Sequence, residues 1–413
     1  MSPGAALSER HTTPRAVASA GPSTRRRLAL LALATAVGSA GLAAGGTAGG
    51  IAVRRMTTTG AWVGVPTGLL VAGSALGALT IARRAGLGGR SSGISTAYVI
   101  GALGAAGSVA AIGAGSLVLL LAASVPLGWG NAAVFFTRYE AAGTAEPGGR
   151  SRALGLIFGA TAVGAVLSPT LLGPGGALAA AIGLPAVAGL YVLAAPCFIA
   201  AAAMLAVRRP AGGGPAAPGA GATTGAVAWR TMLRRRSVRR ALATLAAASA
   251  VMVGIMAIAP VWMEDHGHGL GLVGSAISFH VLGMFGPSPL TGWLADRVGA
   301  VTVARAGVLL LLAAAAAGAF VPAADAAPAI GFLLLLGVGW NAGVVGASAM
   351  LTAAVPAAHQ ARAEGAGEVT MGVAAALCGP GAGLVASGGG FAAVCAAAAA
   401  VSALAFAASG RTG

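Results

Sequence analysis

The titratable residue best placed for chemistry within an apolar stretch is His280. It falls near the middle of residues 270–294, a run that contains no Asp, Glu or Arg. Histidine titrates near neutral pH, and ionisable groups within a membrane segment are costly and often functional. The position of His280 allows two interpretations. The residue could accept a coupling proton or bind a substrate, or it could be a hydrogen-bonded histidine of the protein core.

Two asparagines with neighbouring tryptophans form a second candidate set. Asn131 lies close to Trp129, and Asn341 follows Trp340 directly. Amide and indole groups can line a path for an amphipathic or aromatic molecule. They can equally join neighbouring helices by hydrogen bonds. The sequence leaves both roles open.

A short cluster of carboxylates and imidazoles, Glu264, Asp265, His266 and His268, follows the seventh apolar run. Such groups can bind a divalent metal. They fall within one short loop, without a sharp ligand geometry. We therefore predict a solvated external loop and no metal site.

Several kinds of chemistry are excluded or disfavoured by composition. All 25 basic residues are arginine, so neither a Walker A phosphate loop nor a lysine Schiff base is possible. The three cysteines lie in apolar stretches without metal-ligand spacing. We expect no cofactor and no enzymatic activity.

The elements that must position these residues are membrane helices. The chain has 413 residues, of which 57% are hydrophobic and 8% charged, against about 25% charged in a soluble domain. A spanning helix needs about 20 mostly apolar residues. An all-α membrane protein with twelve spans is predicted, numbered 1 to 12 as follows: 28–52, 60–82, 93–111, 114–137, 152–172, 184–207, 241–263, 270–294, 301–321, 327–350, 363–386 and 388–408.

The arginines predict the orientation. All except Arg54 and Arg55 fall in the N-terminal tail, in loops that follow even-numbered spans, or close to those loops. Positive residues favour the cytoplasmic side. We expect a multi-pass protein of the bacterial inner (plasma) membrane with both termini in the cytoplasm.

Four regions are predicted. Residues 1–24 form a disordered cytoplasmic tail, residues 25–207 and 241–413 each form a six-helix bundle, and residues 208–240 form a cytoplasmic linker. The end of that linker, 228–240, alternates arginine with apolar residues and is expected to lie as a helix on the anionic inner leaflet. The net charge of +16 therefore indicates contact with lipid, and no nucleic-acid partner is expected.

An internal repeat supports the two bundles. Asn131 lies 21 residues before Arg152-Ala153-Leu154-Gly155, and Asn341 lies 21 residues before Arg362-Ala363-Glu364-Gly365. Both the asparagines and the arginines are thus separated by 210 residues. Parallel six-helix repeats related by an axis along the membrane normal are a known transporter design. The sequence predicts two pseudo-symmetric halves.

The segment Gly292-Trp293-Leu294-Ala295-Asp296-Arg297-Val298-Gly299 resembles the cytoplasmic signature of the major facilitator superfamily. The resemblance covers roughly residues 25–408. It implies a central cavity between the bundles and alternating access. The expected partners are a small-molecule substrate, protons and the lipid bilayer, and a monomer is expected.

Two other motifs of the family are altered. Ser124 stands where drug exporters have an arginine linked to proton coupling, and Ser168 replaces a glycine before Pro169 in the antiporter pattern. The expected function is proton-coupled efflux of amphipathic compounds. The alternative is proton-coupled import of a small metabolite or vitamin. A third hypothesis is a non-transporting membrane sensor or an enzyme.

The resemblance also implies an inner gate. Asp296, next to Arg297, is expected to meet the start of span 5, where Arg152 stands. In the other half Arg83 replaces the aspartate, while span 11 begins with Arg362, Glu364 and Glu368. We predict a swapped pair of Arg83 with Glu364 or Glu368. The alternative is that the two glutamates are solvated or offset Arg362.

Overall fold

A computed structural model describes residues 22–41, 44–88, 90–144, 150–206, 233–322, 325–356 and 360–410. Regular secondary structure in these residues is helical throughout. The predicted all-α membrane fold is therefore confirmed. The tail 1–21 and most of the predicted linker, 207–232, lie outside the described residues.

In the N-terminal half, the described residues form eight α-helices. Span 1 consists of α1 and α2 with a π-helical turn, Ala44–Ala48, before α2, and span 5 consists of α6 and α7, which meet at a bend of 55°. Their bounds are α1 Pro22–Ser39, α2 Gly49–Met56, α3 Val65–Gly88, α4 Arg90–Gly113, α5 Leu117–Thr144, α6 Arg150–Thr170, α7 Leu172–Ala181 and α8 Gly189–Ala206.

From Arg236 to Gly410, the described residues form six α-helices. Span 8 is divided between α10 and α11, and α14 contains both span 11 and span 12. Their bounds are α9 Arg236–Asp265, α10 Leu270–Phe285, α11 Ser288–Val298, α12 Ala300–Ala319, α13 Ala326–Ala353 and α14 Gln360–Gly410. Gly390 within α14 has a φ of 68°, which breaks the helix there.

Ten helical segments of the described chain are long and apolar enough to cross a membrane, and the bent pair of span 5 makes eleven. The longest of them, Gly365–Ser409, has 45 residues, about twice the length that one span needs. The break at Gly390 divides it into two parts, which correspond to the predicted ranges 363–386 and 388–408. The segments follow the predicted order, and the predicted count of twelve is reached only when this segment is counted as two spans.

Packing within the halves repeats as the sequence does. A Cβ on Gly128 would collide with the carbonyl oxygen of Leu70, and a Cβ on Gly337 would collide with that of His280. His280 lies 210 residues after Leu70, and Gly337 lies 209 after Gly128. Spans 2 and 4 therefore cross as spans 8 and 10 do. Small residues allow this close approach, which in lipid replaces hydrophobic driving force.

Span 7 begins earlier than predicted. The helix α9 runs without a break from Arg236 to Asp265, whereas the sequence placed the start of the span at residue 241. Arg235 has an extended backbone before it. Arg236, Arg239 and Arg240 are thus in the first turns of a membrane-spanning helix, within the stretch that we assigned to an interfacial segment.

Candidate functional site

Asn341 is the most fully bonded of the predicted polar residues. It is 2% exposed, and its amide nitrogen donates to the Met284 carbonyl and to Ser288 Oγ, both at 2.7 Å. Thr291 Oγ1 donates to its amide oxygen at 2.7 Å. Span 8 is interrupted between Phe285 and Ser288, so Asn341 holds both sides of this interruption against span 10.

Asn131 makes the equivalent contact in the other half. Its amide nitrogen donates to Ser74 Oγ at 2.8 Å, and Ser74 and Met284 are 210 residues apart, as the two asparagines are. Trp129 Nε1 donates to Thr80 Oγ1 at 3.0 Å. Each asparagine therefore joins two helices of its own bundle, and this geometry favours the helix-joining role over a shared polar path.

His280 lies inside the C-terminal bundle. Its side chain is 2% exposed, and Nδ1 lies 2.8 Å from the Leu333 carbonyl of span 10. That carbonyl can only accept, so the proton of a neutral ring belongs on Nδ1. Among the described residues nothing bonds to Nε2, or to the buried Nε1 of Trp340. The lone pair of Nε2 therefore has no hydrogen-bond donor among the described residues.

The two bundles meet at a pair of symmetry-related contacts. A Cβ on Gly64 of span 2 would collide with the carbonyl oxygen of Gly379 in span 11, and a Cβ on Gly274 of span 8 would collide with that of Pro169 in span 5. Gly274 and Gly379 lie 210 residues after Gly64 and Pro169. Exchanging the two halves therefore converts one contact into the other, as a pseudo-twofold axis requires.

Both contacts lie at the end of the molecule where spans 1, 5, 7 and 11 finish and spans 2 and 8 begin, which we name the closed end. Two ion pairs join the halves there. Arg54 Nε lies 3.1 Å from Asp265 Oδ2, and Arg55 Nε lies 3.0 Å from Glu264 Oε1, with a second N–H of Arg55 on the same oxygen. These pairs clamp the end of span 1 to the end of span 7.

The sequence analysis missed these ion pairs. It treated Arg54 and Arg55 only as exceptions to the orientation rule, and it assigned Glu264 and Asp265 to a solvated loop. The signal was present, because two adjacent arginines on one predicted outer loop match two adjacent carboxylates on another. The internal repeat does not reveal the pairs, because repeated positions carry similar residues. Here Arg55 and Glu264 are 209 residues apart, Arg54 and Asp265 are 211 apart, and each pair has opposite charges.

The opposite end, which carries the other arginines of the described residues, is named the arginine-rich end. The helix α11 packs against spans 9 and 10 of its own bundle. It contains residues 292–298 of the segment that resembles the family signature, and Gly299, with a φ of 91°, makes the turn to span 9. Arg297 lies over the Trp293 ring at 4.7 Å, and Asp296 is exposed.

The other residues of the predicted inner gate are only partly described. Arg83 and Glu368 are exposed. The side chains of Arg152, Arg362 and Glu364 lie outside the part of the chain that the structure describes. The swapped pair of Arg83 with Glu364 or Glu368 therefore stays a prediction.

Comparison with known proteins places this geometry in a family. The sequence profile of the Major Facilitator Superfamily matches residues 58–345. The chain is 32% identical over 367 residues to the uncharacterized MFS-type transporter YdeG of Bacillus subtilis (strain 168), covering 86% of this chain and 84% of that protein. It is 30% identical over 369 residues to the riboflavin transporter RfnT of Brucella anthropi, covering 84% of this chain and 86% of that protein.

The fold has a close counterpart among crystal structures. A bacterial homolog of the human lysosomal transporter Spinster, in an inward-facing and unoccupied conformation, superposes with a TM-score of 0.74 at 16% identity, over 95% of this chain and 98% of that one. At this identity the likeness concerns the fold. Taken with the profile match and the two relatives, these findings show that the chain is a membrane transporter of the major facilitator superfamily.

Proposed function

We propose that the chain is a secondary active transporter that works by alternating access, and that its described conformation is open toward the cytoplasm. The observation that carries this proposal is the location of the contacts between the bundles. The glycine contacts and the two ion pairs all lie at the closed end. The arginine distribution supports a cytoplasmic location for the opposite end.

An open inner side fits the exposure of Arg83 and Asp296. In the other conformation, we propose that Arg83 pairs with Glu364 or Glu368 and that Asp296 meets the start of span 5. A charge swap tests this gate. Transport lost in Arg83→Glu and in Glu364→Arg should return when both changes are combined, and a folded double variant without transport would count against the pair.

We propose that the transported compound is neutral and amphipathic. Of the nine acidic residues of the chain, Glu9 falls in the N-terminal tail and the other eight fall at or near the ends of predicted spans. The predicted membrane interior therefore offers no strong counter-charge for a cation. Efflux of such compounds is our first proposal. Transport of a vitamin is the second, favoured by the 30% identity to a riboflavin transporter.

We propose His280 as the residue that accepts the coupling proton. Its buried Nε2 is free among the described groups, and charging it inside the bundle would disturb the contact of spans 8 and 10. Proton coupling of this kind needs a titratable group that is hydrated in one conformation and buried in the other. The variant His280→Gln keeps an N–H for the Leu333 carbonyl but cannot titrate.

The experiment uses proteoliposomes with chloramphenicol and riboflavin as neutral probes. An acidic lumen should drive uptake of the probe if the protein exchanges it for protons, whereas an acidic bath should drive uptake if both move together. The first result supports efflux and the second supports import. Uptake that is indifferent to both gradients would overturn proton coupling, and gradient-driven uptake by His280→Gln equal to that of the wild type would remove His280 from it.

A further inference from the structure

A basic cavity lies at the arginine-rich end of the C-terminal bundle, between the start of span 7 and the end of span 12. Its volume is about 380 Å³. Three arginines from the first turns of α9 face small residues from the last turns of α14. The lining residues include Arg236, Arg239, Arg240, Thr244, Ala408 and Ser409.

A smaller cavity of about 80 Å³ adjoins it and shares Arg240, Thr244 and Ser409. It extends the lining to span 9, where Arg305 contributes a fourth guanidinium. This guanidinium lies 5.1 Å from the centre of the Phe406 ring of span 12, which fixes its position by a cation–π contact. We name the two cavities together the basic groove.

The charge of the basic groove is strongly positive. Residues 236–263, 300–319, 326–353 and 391–410, which supply its walls, contain no Asp, Glu or His. Span 11 packs against span 7, and its start carries Glu364 and Glu368. The four arginines of the groove outnumber these two carboxylates. This excess of positive charge favours an anionic ligand.

The groove lies at the depth of lipid headgroups. The helix α9 has 30 residues and is therefore about 45 Å long, whereas the hydrocarbon core is about 30 Å thick. Its first turns extend to the membrane surface. Apolar side chains flank the groove, with Leu404 of span 12 72% exposed and Val301 of span 9 51% exposed. In a membrane protein such surfaces contact acyl chains.

We propose that the basic groove binds the phosphate headgroup of an anionic phospholipid from the leaflet at the arginine-rich end. Guanidinium groups bind phosphate oxygens through paired N–H donors. Basic pockets between membrane helices on this side are suited to acidic headgroups. The acyl chains run along the apolar flanks of spans 9 and 12. This site is independent of the transported compound and of proton coupling.

Native mass spectrometry of the detergent-purified protein tests the proposal. Phosphatidylglycerol, cardiolipin and phosphatidylcholine are titrated in turn, and inorganic pyrophosphate is titrated as a soluble source of phosphate. The variant Arg239→Gln with Arg305→Gln removes two charges from the groove. The matched control, Arg26→Gln with Arg84→Gln, removes two exposed arginines from the same end outside the groove.

The wild type should bind phosphatidylglycerol and cardiolipin in preference to phosphatidylcholine. The groove variant should bind them about 25-fold more weakly, since each arginine that contacts the headgroup contributes about fivefold. The control leaves the four arginines of the groove in place and should bind the lipids as the wild type does. Equal weakening in the control, or equal binding of phosphatidylcholine, would overturn the site. Pyrophosphate binding that depends on Arg239 and Arg305 without lipid preference would overturn the lipid assignment.

Discussion

Reversing one charge of the clamp at the closed end should open that end. Arg55 directs two N–H groups at one oxygen of Glu264, and the Glu264 side chain is 19% exposed. Arg55→Glu replaces this attraction with repulsion between two carboxylates. An exposed ion pair contributes about 0.2–1 kcal/mol, and this one is partly shielded. We therefore expect the change to cost the closed end about 1–2 kcal/mol, a factor of about 5–30 in the open fraction.

Cysteine labelling measures this fraction. Ala257 is 2% exposed, and a Cβ on Gly50 of span 1 would lie 3.4 Å from its carbonyl oxygen. A cysteine at position 257 should react with a membrane-impermeant maleimide only when the closed end opens. The native cysteines, Cys197, Cys378 and Cys395, are first replaced by alanine.

The labelling rate should rise about 5–30-fold in Arg55→Glu and return toward the wild-type rate when Glu264→Arg is added. The unfolded protein serves as the control for thiol reactivity. An unchanged rate in the single variant would show that the ion pair does not hold the closed end. A double variant that reacts faster than the single variant would refute the reasoning from charge.

Three further predictions follow from the packing. Asn341→Ala should lower the free energy of unfolding by about 1–2 kcal/mol, because three hydrogen bonds to span 8 are lost, whereas Asn131→Ala should lower it by about 0.5 kcal/mol. Thermal unfolding in detergent measures both losses, and an equal or larger loss in Asn131→Ala would contradict the prediction. Gly64→Ala should open the closed end and raise labelling of the cysteine at position 257, while Gly381→Ala, which meets open space, should not; equal effects would exclude the close contact as the cause. Raising the salt concentration from about 0.1 M to about 1 M shortens the screening length from about 10 Å to about 3 Å and should weaken the ion pairs. Labelling of the cysteine at position 257 should therefore rise in the wild type but not in a variant without the four clamp charges. A labelling rate of the wild type that does not change with salt would contradict an ionic clamp.

The repeat was the most informative part of the sequence. The offset of 210 residues was visible in Asn131 and Asn341, and the same offset relates Gly64 and Pro169 to Gly274 and Gly379 in the contacts between the halves. Apolar runs gave the spans, because lipid requires about 20 apolar residues at each crossing. The break at Gly390 also fits the Gly-rich turn between spans 11 and 12.

The polar contacts could not be predicted in the same way. A hydrophobic pattern does not show which partner a side chain finds across 200 residues, so Asn341 remained ambiguous between a path and a helix contact. Its bonds to both sides of the interruption in span 8 depend on how two helices cross. The clamp was missed for the same reason, since Arg54 and Asp265 meet only when the ends of spans 1 and 7 converge.

Alternating access is tested most directly by measuring both ends of the molecule together. Spin-label pairs at positions 60 and 387, which lie close together at the closed end, and at positions 84 and 300 at the arginine-rich end, report the two separations by pulsed electron paramagnetic resonance. In Arg55→Glu the first distance should lengthen while the second shortens relative to the wild type. Distances that lengthen together, or a second distance that stays fixed while the first grows, would contradict alternating access.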